Sequence, residues 1–480
     1  MGSDMDRNPF LVRSGAAMAL ALAAALSWPT LALAQEAGPS IVKQYDDGAV
    51  YEGTFRDGLQ NGRGTYRHPN GFEYTGDWVD GEMRGQGVAR YPNGSVYEGD
   101  FLRGKPEGFG KITYADGGTY EGDWVDGRIE GTGRTVYANG VIYEGQFVNA
   151  QPNGQGVMVS PNGFRYEGAW VAGEKEGEGR IVFPDGSEYV GTFRAGERSG
   201  QGTLRMPGGL VYEGNWENGQ INGQGKLTQP NGDVYEGQFV DGQRQGEGRV
   251  TYGNGDVYEG EFLADLRHGT GSFRGQNGYQ YEGQWAEGQM SGEGRVTYPD
   301  GSTYAGSFRE GVADGIGTIT YADGSTYEGE WQAGVIAGRG IARYGNGLVY
   351  EGEFLDGTNN GQGVMTAPDG YRYEGQWQGG LRHGEGTATY PDGSVYRGSF
   401  VEGQRQGQGE TVMADGFRYT GEWQAGQIEG TGTATYANGD VYEGEFQAGK
   451  RQGLGTMRYA TGEVASGLWV DGILAPPGGN

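Results

Sequence analysis

The sequence predicts an all-β protein, an elongated single-layer antiparallel array of β-hairpins that repeats every 23 residues. Three observations predict this fold. A tyrosine recurs at a step of 23 residues from Tyr51 to Tyr442, with no insertion or deletion. Large side chains alternate with small or polar ones around it, which is the period of a strand. Glycines recur with the same step, so each repeat has room for two strands and two turns but not for a helix.

The first strand of each repeat is defined by its alternation. Numbering from the tyrosine, Tyr51, Gly53 and Phe55 hold positions 1, 3 and 5 of the first repeat. Residues two apart on a strand share one face of the sheet, so the rings lie together. Glu52 and Thr54 then lie on the opposite face.

The rest of the repeat is predicted to turn, return and turn again. The segment from Gly58 to Gly62 is predicted to be the first turn, and positions 12, 14, 16 and 18 share a face of the return strand. The second turn, at positions 19 to 21, ends in a glycine that supplies a positive φ. Glycines at positions 3, 12 and 14 are predicted to leave space beside the large rings.

The repeats form two matching blocks. Position 5 alternates between Phe and Trp until Phe239 is followed directly by Phe262, and segments before and after this break match at an offset of 207 residues, nine repeats. We interpret this as duplication of a nine-repeat block, and we expect a bend or weak joint at the junction, near Tyr258. The predicted organisation is a signal peptide, an N-terminal half-repeat cap, repeats 1–9, repeats 10–18, and a degenerate half-repeat cap with a tail, at residues 1–34, 35–50, 51–257, 258–464 and 465–480.

The first 34 residues have the order of a secretory signal. Arg7 and Arg13 precede the apolar run from Ala16 to Leu26, and the triplet Ala32-Leu33-Ala34 follows it. Small residues at this spacing predict cleavage after Ala34 and a periplasmic or secreted protein. The alternative is an uncleaved signal that anchors the chain in the inner membrane, because the uncharged stretch is just long enough to span a bilayer.

The repeat pattern resembles that of a known family. The order Y-E-G-x-F/W-x-x-G-x-x-x-G-x-G-x-x-x-Y-x-x-G, found over residues 45–472, is similar to the MORN (membrane occupation and recognition nexus) repeat, here of a secreted or periplasmic bacterial type. The resemblance implies a run of β-hairpins in one elongated antiparallel sheet. It also implies an assembly or tethering module, since some such arrays take a partner helix or form homodimers.

Composition and charge argue against several classes of function. The formal net charge is −27, which disfavours nucleic acid and anionic lipid as ligands. The chain has no cysteine and three histidines, His68, His268 and His383, whose spacing keeps them apart in an extended array. We therefore expect no catalytic residues, no cofactor and no metal site. Carboxylates such as Glu98 and Asp185 are better explained as a solvated strand face and turn chemistry than as Ca²⁺ ligands.

The aromatic face is the surface most suited to binding. An exposed aromatic strip would be an interaction surface, although the repeat also needs these rings as its core. We expect a non-enzymatic scaffold of the cell envelope that binds a protein partner or itself through this face, and the alternative is a module that binds phospholipid or cell-wall glycan. The candidate partner-binding residues are Trp78, Tyr91, Trp124, Tyr137, Trp170, Phe183, Trp216, Trp285, Tyr298, Trp331, Tyr344, Trp377, Tyr390, Trp423 and Tyr436.

Overall fold

The computed structural model describes residues 39–476, and all the regular secondary structure in this range is β-strand. The predicted signal peptide, residues 1–34, lies outside the described residues. Contacts divide the chain into two compact units, residues 1–130 and 131–480, and each unit is described by itself. Residues 39–476 include no helix of the length and hydrophobicity needed to cross a membrane.

In the first unit, consecutive strands from β1 to β8 pair antiparallel with one another. The strands are β1 (Ile41–Gln44), β2 (Val50–Arg56), β3 (Leu59–Arg67), β4 (Glu73–Val79), β5 (Glu82–Arg90), β6 (Val96–Leu102), β7 (Lys105–Thr113) and β8 (Thr119–Val125).

In the second unit, the same antiparallel pairing of consecutive strands extends from β9, which contains the unit boundary, to β39. The strands are β9 (Arg128–Val136), β10 (Ile142–Val148), β11 (Gln151–Val159), β12 (Arg165–Val171), β13 (Glu174–Val182), β14 (Glu188–Arg194), β15 (Glu197–Arg205), β16 (Val211–Glu217), β17 (Gln220–Thr228), β18 (Val234–Val240), β19 (Gln243–Thr251), β20 (Val257–Leu263), β21 (Leu266–Arg274), β22 (Gln280–Ala286), β23 (Gln289–Thr297), β24 (Thr303–Arg309), β25 (Val312–Thr320), β26 (Thr326–Gln332), β27 (Val335–Arg343), β28 (Val349–Leu355), β29 (Thr358–Thr366), β30 (Arg372–Gln378), β31 (Leu381–Thr389), β32 (Val395–Val401), β33 (Gln404–Val412), β34 (Arg418–Gln424), β35 (Gln427–Thr435), β36 (Val441–Gln447), β37 (Lys450–Arg458), β38 (Val464–Val470) and β39 (Ile473–Leu474).

The first turn of the repeat is shorter than the sequence predicts. Asp57 and Gly58 form a two-residue turn with φ of 52° and 80°, and the strand β3 begins at Leu59. Positive φ at both central residues is the signature of a type I′ turn, whose twist matches that of the flanking strands. The predicted turn from Gly58 to Gly62 is therefore wrong beyond its first residue.

The glycine at position 12 has a different role from the one predicted. Gly53 pairs with Gly64 and Phe55 with Gln60, so three residues of the return strand stand opposite one. Such a bulge needs a residue in the left-handed region, and Gly62 supplies it with a φ of 79°. Position 12 is thus fixed by backbone conformation rather than by space beside the rings.

The second turn confirms the prediction. In the second repeat, the Tyr91 amide donates to the Ser95 carbonyl at 2.8 Å, and the Gly94 amide donates to the Tyr91 carbonyl at 2.9 Å. Gly94 has a φ of 87°. A turn closed by a glycine in the left-handed region is the common form of a three-residue hairpin loop.

A row of glycines at positions 3 and 14 crosses the middle of the sheet in each unit. In the second unit, Gly202 pairs with Gly191 on one side and with Gly214 on the other. A Cβ added to Gly191 would lie 2.6 Å from the Tyr189 hydroxyl, and one added to Gly202 would lie 2.6 Å from Cζ of that ring. The tyrosine ring therefore lies on the glycines, as predicted for positions 3 and 14.

The rings form a continuous ladder along each unit. Tyr189 makes edge-to-face contacts with Phe193 of its own repeat at 5.3 Å and with Trp216 of the next repeat at 5.2 Å. All eighteen position-1 tyrosines also donate their hydroxyl to the position-4 carbonyl. Because each ring packs on the next repeat, a single hairpin cannot bury its core alone.

The register continues through the junction between repeats 9 and 10. Gly260 pairs with Gly248 and with Gly271, as the equivalent glycines do elsewhere. Asp265, which replaces the turn glycine, has a φ of 70°, and its carboxylate accepts bonds from the Arg244 backbone amide at 3.0 Å and from Nε at 3.1 Å. The bend expected near Tyr258 stays a prediction.

Candidate functional site

The tryptophans of the predicted binding strip lie in the core of the aromatic face, the face that carries positions 1, 5, 16 and 18. Trp216 and Trp423 are each 4% exposed. Their indole N–H groups donate to carbonyl oxygens of the preceding repeat, Gly202 and Gly409, at 3.3 Å. The other six are equally engaged: Trp78, Trp124, Trp170, Trp285, Trp331 and Trp377. Seven of the eight rings are buried and Trp331 is half-buried, so these side chains mainly pack the core.

The remaining candidate residues, at position 18, form the accessible rim of the aromatic face. Tyr137 and Tyr344 are 39% exposed. The others, Tyr91, Phe183, Tyr298, Tyr390 and Tyr436, are half-buried. Of the predicted strip, these side chains keep the surface through which a partner could be contacted.

Position 22, which the sequence analysis did not single out, adds a second aromatic to this rim. In five places its ring packs against the position-18 ring of the next repeat, with centroids 5.5–6.2 Å apart. The pairs are Phe72–Tyr91, Phe164–Phe183, Tyr279–Tyr298, Tyr371–Tyr390 and Phe417–Tyr436. Aligning the repeats in columns would have shown aromatic side chains at position 22.

Position 10 carries basic side chains that join neighbouring repeats in the second unit. The Arg198 guanidinium lies 4.1 Å from the centroid of the Trp216 ring of the next repeat and donates to the Gly219 carbonyl at 2.7 Å. The arginines that donate to the next turn in this way are Arg198, Arg244, Arg267, Arg382, Arg405 and Arg451.

These cations were also missed from sequence, because the repeat pattern leaves position 10 unspecified. Elsewhere this position holds Lys175 or an uncharged residue such as Met83 or Ile221. An arginine over an aromatic face gains a cation–π attraction. Arg451 also lies 5.8 Å from the centroid of the position-18 ring of Tyr436. Position 10 therefore belongs to the same rim as positions 18 and 22.

A groove lies on the aromatic face near the end of the second unit. It has a volume of about 1000 Å³, and its lining includes Met413, Phe417, Tyr436, Arg451 and Met457. Apolar side chains beside an arginine and the carboxylates of Asp415 and Asp440 give it a mixed character. A groove of this kind suits the apolar face of an extended or helical peptide.

Burial keeps the tyrosines neutral over a wide pH range. Burial raises the pKa of Tyr189 and Tyr212 to about 12, and it also raises the pKa of the rim tyrosines Tyr298 and Tyr436. Burial beside the rings lowers the pKa of Arg198, which still keeps its proton at neutral pH. The phenols of these four tyrosines therefore remain neutral hydrogen-bond donors at neutral pH.

The polar face, which carries positions 2, 4, 13 and 15, is formed mainly by polar and charged side chains. No group of three or more His, Asp or Glu side chains in residues 39–476 could hold a metal ion. Cross-strand ion pairs such as Lys226–Glu236, at 2.9 Å, join oppositely charged neighbours at the surface. The polar face thus carries the surface ion pairs that are typical of a strand face in contact with solvent.

The repeat matches a known family model over most of the chain. The MORN repeat model matches eighteen consecutive segments, from residues 51–72 to residues 442–464. No protein with a curated description matches the sequence.

Several solved structures are similar in part. The chain is 18% identical to the TCP domain of SAS-4 of Drosophila melanogaster over 31% of its own length and 81% of that domain, with a TM-score of 0.21. It is 12% identical to the TCP10 domain of CPAP of Danio rerio over 51% and 93%, with a TM-score of 0.15. A streptogramin B lyase is 14% identical over 61% and 91%, with a TM-score of 0.11. TM-scores this low do not bear on function.

Proposed function

Because the chain belongs to the MORN repeat family, we propose that it is a non-enzymatic scaffold of the cell envelope that binds a protein partner or itself through the rim of its aromatic face. The half-exposed rim at position 18, with its groove beside Tyr436, is the observation that carries this proposal. The envelope location rests on the signal sequence predicted in residues 1–34.

The buried tryptophans favour the rim over the centre as the contact surface. Their indole N–H groups already have partners, so a ligand would gain little from them. Aromatic side chains with one accessible edge provide large contact area with few rotatable bonds, and such residues are enriched at protein interfaces.

The absence of a catalytic role is supported by the uniformity of the repeats. Position 1 is tyrosine in all eighteen full repeats, and positions 3, 12, 14 and 21 are always glycine. An enzyme departs from its own pattern where it carries out chemistry. In this chain, the residue type changes from repeat to repeat at packing positions such as 10 and 22. The changes do not bring titratable side chains together in one repeat.

Photo-crosslinking in the native host tests the proposal. A photoreactive phenylalanine that replaces Tyr436 lies in the groove, and one that replaces Thr431 lies on the polar face of the same hairpin. We expect a crosslinked protein partner, or a crosslinked second copy, only from position 436. Equal products from both positions would contradict a specific rim.

A paired substitution then separates binding from folding. Tyr459, at position 18 of the last full repeat, lines the same groove as Tyr436. The Tyr436→Ser/Tyr459→Ser variant removes these two rim rings, and Thr431→Ser/Thr433→Ser is the control on the polar face. We expect at least a tenfold loss of partner capture in the rim variant, with unchanged circular dichroism. Undiminished capture would overturn the proposal, and substitution of buried tryptophans could not give this answer because it would also disturb the core.

A further inference from the structure

The strand β38 is paired along its inner edge but only partly along its outer edge. Its last two residues pair with β39, and the Ala475 amide donates to the Leu468 carbonyl at 2.8 Å. In a complete repeat, the first four residues of this strand also pair with the last four of the next strand, as Val441–Gly444 do with Gly455–Arg458. Within residues 131–476, no strand pairs with the outer edge of β38 at residues 464–467.

The strand β1 is the missing half of such a pair. Ile41 pairs with Gly53 and Gln44 pairs with Val50. In a full repeat, positions 14 to 17 of the return strand pair with the following strand in the same register, as Gly64–Arg67 do with Glu73–Gly76. Residues 41–44 therefore correspond to positions 14 to 17 of a return strand. Within residues 39–130, no strand pairs with the other edge of β1. Val42 is 67% exposed and Ile41 is 49% exposed, so this edge is open.

We infer that β1 of one copy pairs antiparallel with β38 of a second copy, which joins the chains head to tail. The repeat register sets Val464 opposite Gln44, Ala465 opposite Lys43, Ser466 opposite Val42, and Gly467 opposite Ile41. This inference rests on the proposed scaffold function and adds to the rim a second surface, the strand edges of β1 and β38, through which copies associate. The two edges differ, so the contact is heterologous and the assembly grows until it closes on itself.

The side chains at the two edges are complementary in size. In every full repeat, a tyrosine at position 1 lies on glycines at positions 3 and 14. At the proposed junction both ends depart from this rule, because position 1 is Ala465 and position 14 is Ile41. A small residue replaces the large one on β38, and a large residue replaces the glycine on β1. The volume of the pair is thereby kept.

The polar face carries apolar side chains at both edges. Position 4 is polar or alanine in all eighteen full repeats, but it is Leu468 in β38, and Leu468 is 52% exposed. Its cross-strand neighbour Leu454 is 67% exposed, and Val464 is 57% exposed. In the proposed register Val42 stands opposite Ser466, between Val464 and Leu468. Pairing would cover these apolar groups, and open strand edges of this kind favour association.

The order of the position-5 rings also favours a second copy as the occupant of the edge. The order is Phe446 and Trp469 at one end, and Phe55 and Trp78 at the other. Joining the ends continues the alternation of Phe and Trp without a break. An unrelated strand could also pair with the edge of β38. It would have no reason to match the repeat register, to place a large residue opposite Ala465 and to continue the alternation of Phe and Trp.

Disulfide trapping tests the register, because the protein has no cysteine of its own. Full-length Val42→Cys and Ser466→Cys proteins, mixed and oxidised, should give a disulfide-linked dimer on a non-reducing denaturing gel. Each variant oxidised alone should give little disulfide-linked dimer. A single chain with both substitutions should give a ladder of multimers. The matched control, Lys43→Cys mixed with Ser466→Cys, places the sulfurs on opposite faces and should give little dimer. Equal yields for Val42→Cys and Lys43→Cys, or only internal bonds in the double variant, would overturn the inference.

Charge exchange tests the same contact without a covalent bond. We expect the sedimentation coefficient of the unmodified protein to rise with concentration, and Val42→Lys/Ser466→Lys to hold the protein monomeric through like-charge repulsion. Val42→Glu/Ser466→Lys should restore association. A protein that is monomeric at every concentration yet still captures its partner through the rim would refute the head-to-tail contact and leave the proposed function intact. The proposed function would fail instead if association stayed normal and the rim substitutions had no effect on capture.

Discussion

The centre and the rim of the aromatic face follow different rules. At the centre, positions 1, 3 and 14 are Tyr, Gly and Gly in every full repeat, because a ring lies on two glycine backbones. At the rim, position 10 is arginine in six repeats and lysine, methionine, isoleucine, proline, alanine, asparagine or glutamine in the others, and position 18 is usually aromatic. The choice of residue at the centre is limited by the close contact between the ring and the glycine backbones. The choice of residue at the rim is limited only by the side chains that pack over it.

The variation at the rim is itself repeated. Position 10 is identical at the offset of nine repeats in five of nine pairs, among them Met83 and Met290, Ile129 and Ile336, and Ile221 and Ile428. Position 22 is aromatic at the same offset at Phe72 and Tyr279. Under the duplication that we infer from the sequence, the block carried part of its rim pattern with it. This comparison indicates that the centre specifies the fold and that the rim distinguishes one repeat from another.

Ionisation of the buried tyrosines at alkaline pH should unfold the protein completely. The pKa of Tyr189 is raised to about 12 by burial, against about 10 in an unfolded chain. The folded state holds this proton more tightly, so its contribution to stability is full below about pH 10 and is lost as pH rises through about 12. We expect cooperative loss of circular dichroism together with tyrosinate absorbance. Gradual ionisation with the β-sheet signal retained would show that the ladder does not bury its phenols.

A single methyl group at the centre should have the next largest effect. In Gly202→Ala the Cβ would lie 2.6 Å from Cζ of the Tyr189 ring, so the ring must move. We expect a loss of about 1–3 kcal/mol in the free energy of unfolding from overpacking, measured by denaturant titration. Gly208→Ala in the same repeat is the control, because a Cβ there meets nothing within 4 Å. Equal effects of the two substitutions would mean that chain entropy rather than contact fixes the glycine.

The strand pattern was predictable because it repeats eighteen times in one register. Period-2 alternation placed Tyr51 and Phe55 on one face, and the glycine-closed second turn followed from its composition. The first turn was misplaced because Gly58 and Gly62 look alike in sequence. Only the pairing register shows that one completes a type I′ turn and the other a bulge.

The candidate site was less predictable than the fold. A sequence pattern shows that tryptophan and tyrosine share a face but not how deeply each lies in it. The Trp216 ring is covered by Arg198 and by neighbouring rings, whereas Tyr344 stands at the edge. Coverage depends on side chains from the adjacent repeat, and the unspecified position 10 gave no signal for it.

Removal of one rim cation should have a moderate effect. Arg198→Met keeps an apolar stem, as in the repeats that have methionine at this position, but removes the guanidinium 4.1 Å from the Trp216 ring and its bond to the Gly219 carbonyl. We expect a loss of about 1 kcal/mol in denaturant unfolding. Arg205→Met on the same strand is the control, since that side chain is 58% exposed and lies 3.8 Å from Glu213. An Arg198→Met effect no larger than the control would mean that the rim cation does not join repeats.

An arginine on the polar face should contribute least to the free energy of unfolding. Its effect is the reference with which the effect of the rim arginine is compared. The Arg249 guanidinium lies 3.3 Å from the Glu259 carboxylate, and the two side chains are 52% and 44% exposed. Exposed ion pairs of this kind contribute under about 1 kcal/mol, so we expect Arg249→Gln to lower the free energy of unfolding by less than about 0.5 kcal/mol. The effect should disappear in about 1 M salt, where exposed charges are screened, whereas the loss in Arg198→Met should largely persist because its cation is packed on a ring. If the two losses fell equally with salt, the arginines of the rim would be surface charges like those of the polar face, and the distinction between rim and solvated face would fail.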